Sequence, residues 1–303
     1  MTALASLIRL GTSSWAYEGW QGLVYHRRYS KVRFSQDTLA EYATYTVGDA
    51  PLFRTVGIDH TFYRSAGVKQ LTHYAGQVPD TFRFCSKVWE DITVPTYANL
   101  PRYGAKAGRT NARFLDAAAF RDLVLAPLQD GLGDKLGPVL FEFQRWGIEP
   151  DSFLPRLDRF LEHLPAGPPY AVEVRNPAIL STRYRDILAA HGVAHVYNHW
   201  TAMPPLSEQH RLLGQTFTAP HLVIRLLTPL GLAHGQAVER YTPYNRIVEP
   251  QPRMRTDTVD LVQQAVSQGV ASYVLVNNRS EGCSPATVRA ISDALTGAPS
   301  PSS

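Results

Sequence analysis

At 303 residues, with 44% apolar and 18% charged side chains, the chain exceeds a minimal domain and is too apolar to be disordered. Its two cysteines exclude a disulfide framework and a cysteine-rich zinc site. A net charge of +4 names no partner, so where the basic residues lie matters more than their sum. The apolar runs fall far short of the roughly 18 residues of a membrane helix, and no basic stretch precedes the short apolar run at the N-terminus. These features lead us to expect a cytoplasmic protein with no membrane partner.

In chain order, short apolar segments alternate with helical periodicity. "LIRLGTS" (7–13) predicts a first strand, and "SQDTLAEYATY" (35–45) a helix capped by Ser35, with Leu39, Tyr42 and Ala43 on one face. "LFRTVGID" (52–59) predicts the second strand, with a helix over 65–79 ended near Gly76 and Pro79. "TFRFCSK" (81–87) predicts the third, with a helix over 112–128. "GPVLFEF" (137–143) predicts the fourth, with a helix over 151–165 capped by Asp151. "YAVEV" (170–174) predicts the fifth, with a helix over 181–192 between Ser181 and Gly192. "VAHVYN" (193–198) predicts the sixth, with only a weak segment after it. "HLVIRLL" (221–227) and "ASYVLVN" (271–277) predict the last two, with helices over 256–269 and 284–297 and Pro285 in the final first turn.

Eight strands, each followed by a helix or a long loop, predict an α/β fold, a (β/α)8 TIM barrel, with an open doubly wound sheet as the competing arrangement. We see no linker, so a single domain over 1–296 is expected, followed by a disordered tail, "GAPSPSS" (297–303).

The motifs "GTSSWAYEGW", "RTVGIDHTFYR", "FRFCSK", "LGPVLFEF", "YAVEVRNP", "VIRLL" and "VLVNNRSEG" occur in order across residues 10–282. As an ordered set they resemble the YecE-like family, domain of unknown function 72. The resemblance implies a TIM barrel and gives no reaction. It also marks departures. Where the family's second strand reads like VEINSTFYR, this chain has Gly57 for the Glu, Asp59 for the Asn and His60 for the Ser. Glu142 stands where the family's fourth strand, ending FQLPP, has Gln. The family's RLHG is "RLLTPLG" here, keeping Arg225 and losing the His and Gly.

In a barrel of this kind the site lies where the strands end. The strand ends carry Trp15, Asp59, His60, Lys87, Glu142, Glu173, Arg175, Asn198, His199, Arg225, Asn277 and Asn278. Period 2 along strand five puts Tyr170, Val172 and Val174 on one face and Ala171, Glu173 and Arg175 on the other, which predicts that the charges face the barrel. Asp59, Glu142 and Glu173 then balance Lys87, Arg175 and Arg225. A structural polar layer is one reading, although each buried ion costs several kcal/mol of desolvation. A functional site is the other, and its position favours it. Glu142 and Glu173 suit acid–base or glycosidase-like work, and Lys87 suits a Schiff-base nucleophile, while neighbouring cations disfavour a carboxyl acid. His60 and His199 with these carboxylates suit a metal, but three cations oppose one and no HxH or HExxH spacing is present. No metal is expected, and no cofactor is indicated.

Three loops add Arg27, Arg28, Lys31 and Arg33; Arg102, Lys106, Arg109 and Arg113; and Arg240, Arg246, Arg253 and Arg255, with aromatics interleaved. All fall on one rim if the strand order holds, which suits phosphates, bases or anionic sugars. Cys85 is expected to be a small core residue, and "NNRSEG" (277–282) a weak anion-binding turn. The sequence therefore predicts an enzyme acting on an anionic, phosphate- or carboxylate-bearing small molecule. A nucleic-acid-binding protein, such as a metal-assisted phosphodiesterase, and a non-catalytic ligand-binding barrel are the alternatives.

Overall fold

The computed structural model describes residues 6–65 and 67–297. Eight strands form a closed parallel barrel: β1 (Ile8–Thr12), β2 (Thr55–Ile58), β3 (Arg83–Lys87), β4 (Leu136–Phe143), β5 (Tyr170–Val174), β6 (Ala194–His199), β7 (His221–Leu226) and β8 (Ala271–Val276). β1 closes the ring by pairing with β8 on one side and β2 on the other. The open-sheet alternative is thereby excluded. Every strand lies within two or three residues of its expected position, because each is a short β-branched or aromatic run buried on both faces.

Alternation along the strands makes two apolar shells. Phe141, Phe143, Val172, Val174 and Ile224 pack outward against the helices. Cys85, Leu140, Ala171, Ala194, Val196, Val223, Tyr273 and Leu275 fill the inside. Two residues further along β4, β5 and β7 the inward positions become Glu142, Glu173 and Arg225. The barrel is thus apolar through its middle and charged at its C-terminal mouth.

The helices differ from expectation at their ends, where local chemistry decides. Ser35 does not cap: the segment is broken into Phe34–Asp37 and Leu39–Thr44, and Ser35 lies within the first piece. The helix expected from 112 begins at Ala117, because Leu115 has φ of 59° and the Asp116 side chain accepts from the Ala119 N–H. It runs through a π-helical turn, Arg121–Leu125, into Ala126–Leu132. Glu149, not Asp151, precedes the helix Pro150–Glu162, because Pro150 needs no N–H partner in the first turn. Pro252 advances the helix Pro252–Ser267 for the same reason. Ser181 caps Thr182–Ala190 as expected, accepting from Tyr184 N at 3.2 Å. The weak segment after β6 contains the helix Leu206–Leu212, and a helix not expected, His234–Tyr241, follows β7. Gly297, at φ 69°, ends the helix Ser284–Thr296; the rest of the expected tail lies outside the described residues. Among the described residues no helix is long and apolar enough to cross a membrane.

Candidate functional site

Glu142 and Glu173 are register partners on adjacent strands, so two carboxylates lie side by side in a nearly dry place. Unrelieved, their repulsion would hold one of them protonated. Cations relieve it. Arg175 Nε donates to Glu173 Oε1 at 2.6 Å and its Nη2 to Glu142 Oε2 at 3.1 Å. Arg225 Nη1 donates to Glu142 Oε2 at 2.8 Å and also to Glu173 Oε2. Lys87 Nζ lies 2.9 Å from the same Glu142 Oε2, so one oxygen serves three cations. Gln144 Nε2 occupies Glu142 Oε1 at 2.6 Å. Asp59 meets the outer edge of Arg225, Oδ1 to Nη2, at 3.4 Å.

Burial alone would raise the Glu142 carboxyl, but Arg175, Lys87 and Arg225 outweigh it and hold it well below the usual carboxylate range. Arg225, although desolvated, is held charged by Glu173, Asp59 and Glu142. Aromatic faces steady the cations from outside. The Lys87 ammonium stands 4.1 Å from the centre of the Phe62 ring, and the Arg175 guanidinium 4.8 Å from that of Trp200.

Above this network opens a cleft of about 170 Å³ whose lining includes Asp59, Lys87, Glu142, Arg175, Arg225 and Asn277. Tyr63, Trp200, His234 and Arg279 join them. The turn after β8 brings Arg279 in: the Asn277 side chain accepts from the Arg279 N–H at 3.0 Å and sets the turn Asn278–Ser280. Arg279 Nε is buried and has no hydrogen-bond partner among the described residues. Partial desolvation and the nearby Arg279 charge keep His234, although exposed, below its ordinary pKa of 6.5, hence neutral at pH 7.

Not every residue expected at the site reaches the cleft. Glu173 lies beneath it, fully buried, with both oxygens taken by guanidiniums. Trp15 is core: Nε1 donates to Ser35 O at 2.9 Å and the ring meets Tyr74 edge-on at 4.9 Å. His60 turns toward Tyr74, with Nε2 3.5 Å from the phenol oxygen. Asn198 is buried and donates to Val174 O at 3.1 Å. Trp15 and His60 sit behind the mouth because packing against Tyr74 receives them. Asn198, two residues beyond the inward Val196 and in register with Arg225, faces the barrel interior. His199 is also buried, its pKa pushed down to about 4 by desolvation. Among the described residues no group of three His, Cys, Asp or Glu side chains is placed to hold a metal.

Arg279, His234, Trp200 and Tyr63 were not anticipated. Arg279 belongs to "NNRSEG", whose sequence signal concerns backbone N–H groups, and Trp200 directly follows the end of β6; His234 carries no sequence signal. The rim also differs. Of the twelve basic residues expected there, seven are paired: Lys31 with Glu18, Arg33 with Asp37, Arg102 with Glu90, Lys106 and Arg113 with Asp91, Arg240 with Glu249, and Arg255 with Glu281. The acid-free stretch 102–113 is answered from outside by Glu90 and Asp91, upstream in sequence and adjacent in space.

The profile of a family described as "Protein of unknown function DUF72" matches residues 9–302. The chain belongs to the DUF72 family. Among solved structures, a DUF72 family protein from Enterococcus faecalis V583 aligns with a TM-score of 0.63 at 15% identity, over 95% of both chains. A DUF72 family protein from Thermotoga maritima MSB8 aligns with a TM-score of 0.63 at 16% identity, over 95% of this chain and 99% of that one. At these identities the likeness shows the shared fold. No curated protein matches the chain.

Proposed function

We propose that this protein is an enzyme acting on an anionic small molecule, bearing phosphate or carboxylate, at the C-terminal mouth of the barrel. The observation that carries the reading is the charge excess in the cleft. Lys87, Arg175, Arg225 and Arg279 face Asp59 and Glu142, with Glu173 beneath, and among the described residues Arg279 Nε has no hydrogen-bond partner. A buried donor without a partner costs free energy that a ligand oxygen would recover.

Glu142 and Glu173 serve as counter-charges fixing Lys87, Arg175 and Arg225 in place, so that these cations meet an anion already oriented. A carboxylate held by three cations is a poor base, which leaves proton movement to the groups facing the cleft. Asp59, with about a third of its side chain exposed, and the neutral His234 are those groups. Lys87, ion-paired with Glu142 at the floor of the cleft, contributes to holding the anion. Cys85 and Cys283 are both unpaired, which fits a reducing cytoplasm. With seven of the twelve rim cations already paired, the nucleic-acid alternative has little free charge to draw on.

A thermal-shift screen of phosphorylated and carboxylated metabolites at fixed ionic strength tests the binding. A true ligand at about 100 times its Kd stabilises the folded state by about 2.7 kcal/mol, a shift of several degrees. Hits are then assayed for turnover in the wild type and in Asp59→Asn and Lys87→Met. Turnover falling at least 100-fold in these variants supports catalysis. Stabilisation without turnover gives the binding-barrel reading, and no stabilisation by any anion ends the proposal.

A further inference from the structure

Beside the charged cleft lies a second, larger cavity of about 440 Å³ in the same mouth, between the loops that follow β3 and β4. Its walls are mostly apolar and aromatic, with Phe62, Tyr97, Leu100, Tyr103 and Trp146 among them. Trp146 is 78% exposed and Leu100 46%, and Tyr63, on the neighbouring wall of the cleft, is 58% exposed. Large apolar side chains are seldom left so open together without an occupant.

The two spaces are neighbours, and three side-chain contacts join their linings. Gln144, from the apolar cavity, donates to Glu142 of the cleft at 2.6 Å. Lys87, from the cleft, stands 4.1 Å over Phe62 of the cavity. Arg102, from the cavity, lies 5.2 Å over Tyr63 of the cleft. The cleft, at about 170 Å³, holds a charged head group but falls below the roughly 300 Å³ at which small-molecule sites begin. The adjoining cavity supplies the missing volume and differs in chemistry.

We infer that the substrate is amphipathic: a phosphate or carboxylate seated among Lys87, Arg175, Arg225 and Arg279, carrying a flat apolar ring system that lies against Trp146 and Leu100. This rests on the anionic-ligand reading and adds the chemistry of the other end. Ring stacking supplies the affinity and Gln144, tied to Glu142, marks the boundary that the ligand crosses.

Titration calorimetry with two matched pairs of probes tests it: methyl phosphate against 2-naphthyl phosphate, and acetate against 2-naphthoate, at fixed ionic strength. The inference expects the naphthyl member of at least one pair to bind at least tenfold tighter than its small partner. It also expects Trp146→Ala to remove most of that advantage while leaving the small anion's Kd within twofold. Trp146 is exposed, so the variant folds. The pair that responds separates phosphate from carboxylate. Small anions that bind with no gain from the ring, or a gain that survives in Trp146→Ala, overturn the amphipathic substrate and leave the anionic reading standing. If no member of either pair binds, both readings fall.

Discussion

Glu142 Oε2 is the residue-scale centre of this protein, receiving Lys87, Arg175 and Arg225 at once. Removing one partner from such a buried set costs more than the set contributes, because the charges left behind are unpaired. Arg225→Ala leaves Glu142, Glu173 and Asp59 with only Lys87 and Arg175 to answer them, an uncompensated buried charge expected to lower stability by about 3–5 kcal/mol in urea melts. Cys85→Ala, in the inner apolar layer with Thr55 Oγ1 3.4 Å from its sulfur, is the mild control. A cost for Arg225→Ala within 1 kcal/mol of that for Cys85→Ala would show that the network carries no structural weight. The pH dependence follows from the same environment. Burial pushes His195 and His199 from 6.5 down to about 4, so the unfolded chain binds protons that the folded one refuses. Their contribution is complete above pH 6.5 and is lost as pH falls toward 4, at up to about 1.4 kcal/mol per pH unit for each. Glu142, held below its ordinary 4.5, adds a second loss only beneath that value. Urea melts from pH 8 to 4 should therefore show stability flat above 6.5 and declining below it. A decline that starts only under pH 5 would contradict the burial of these histidines.

At the scale of elements, the strands were legible because both-sided burial writes itself as short apolar runs, and the charged ends of β3, β4, β5 and β7 interrupt those runs where the barrel opens. Helix starts were less legible, since Pro150 and Pro252 act before the apolar period begins. The family departure at Gly57 has a structural cause. A Cβ there would sit 2.6 Å from the Ser13 carbonyl oxygen, and one at Gly11 would sit 1.9 Å from that of Thr55. β1 and β2 approach this closely because both inward positions are bare, so the Glu that the family carries at 57 has no room. Gly57→Ala is expected to destabilise by about 1–3 kcal/mol in the same melts, through displacement of the β1 end. A neutral or stabilising result would mean that the two strands separate without cost.

The whole molecule shows where sequence reasoning stops. Which cations share a rim was readable from strand order, but which are already neutralised was not, because Glu90, Asp91 and Glu281 reach them across the fold. Lys87, Glu142, Arg175 and Arg225 were visible as charges set into or directly after apolar strands, whereas Arg279 arrives on the turn after β8 and His234 at the start of a helix after β7, placed by the fold alone. With seven of the twelve rim cations paired, oligonucleotide binding should be weak and its log K should fall with log salt by a slope no steeper than about −4.5, at −0.9 for each phosphate contacted by the remaining five. A slope near −8 would restore the nucleic-acid alternative. The central claim is that the mouth binds an anion with Arg279, whose buried Nε has no hydrogen-bond partner among the described residues. Calorimetric titration of methyl phosphate and acetate into the wild type and Arg279→Ala at fixed ionic strength tests it most directly. The account predicts that at least one anion binds the wild type and loses at least tenfold in affinity in a variant that melts within a few degrees of it. Equal affinity in the two proteins, or no binding of either anion, would contradict it.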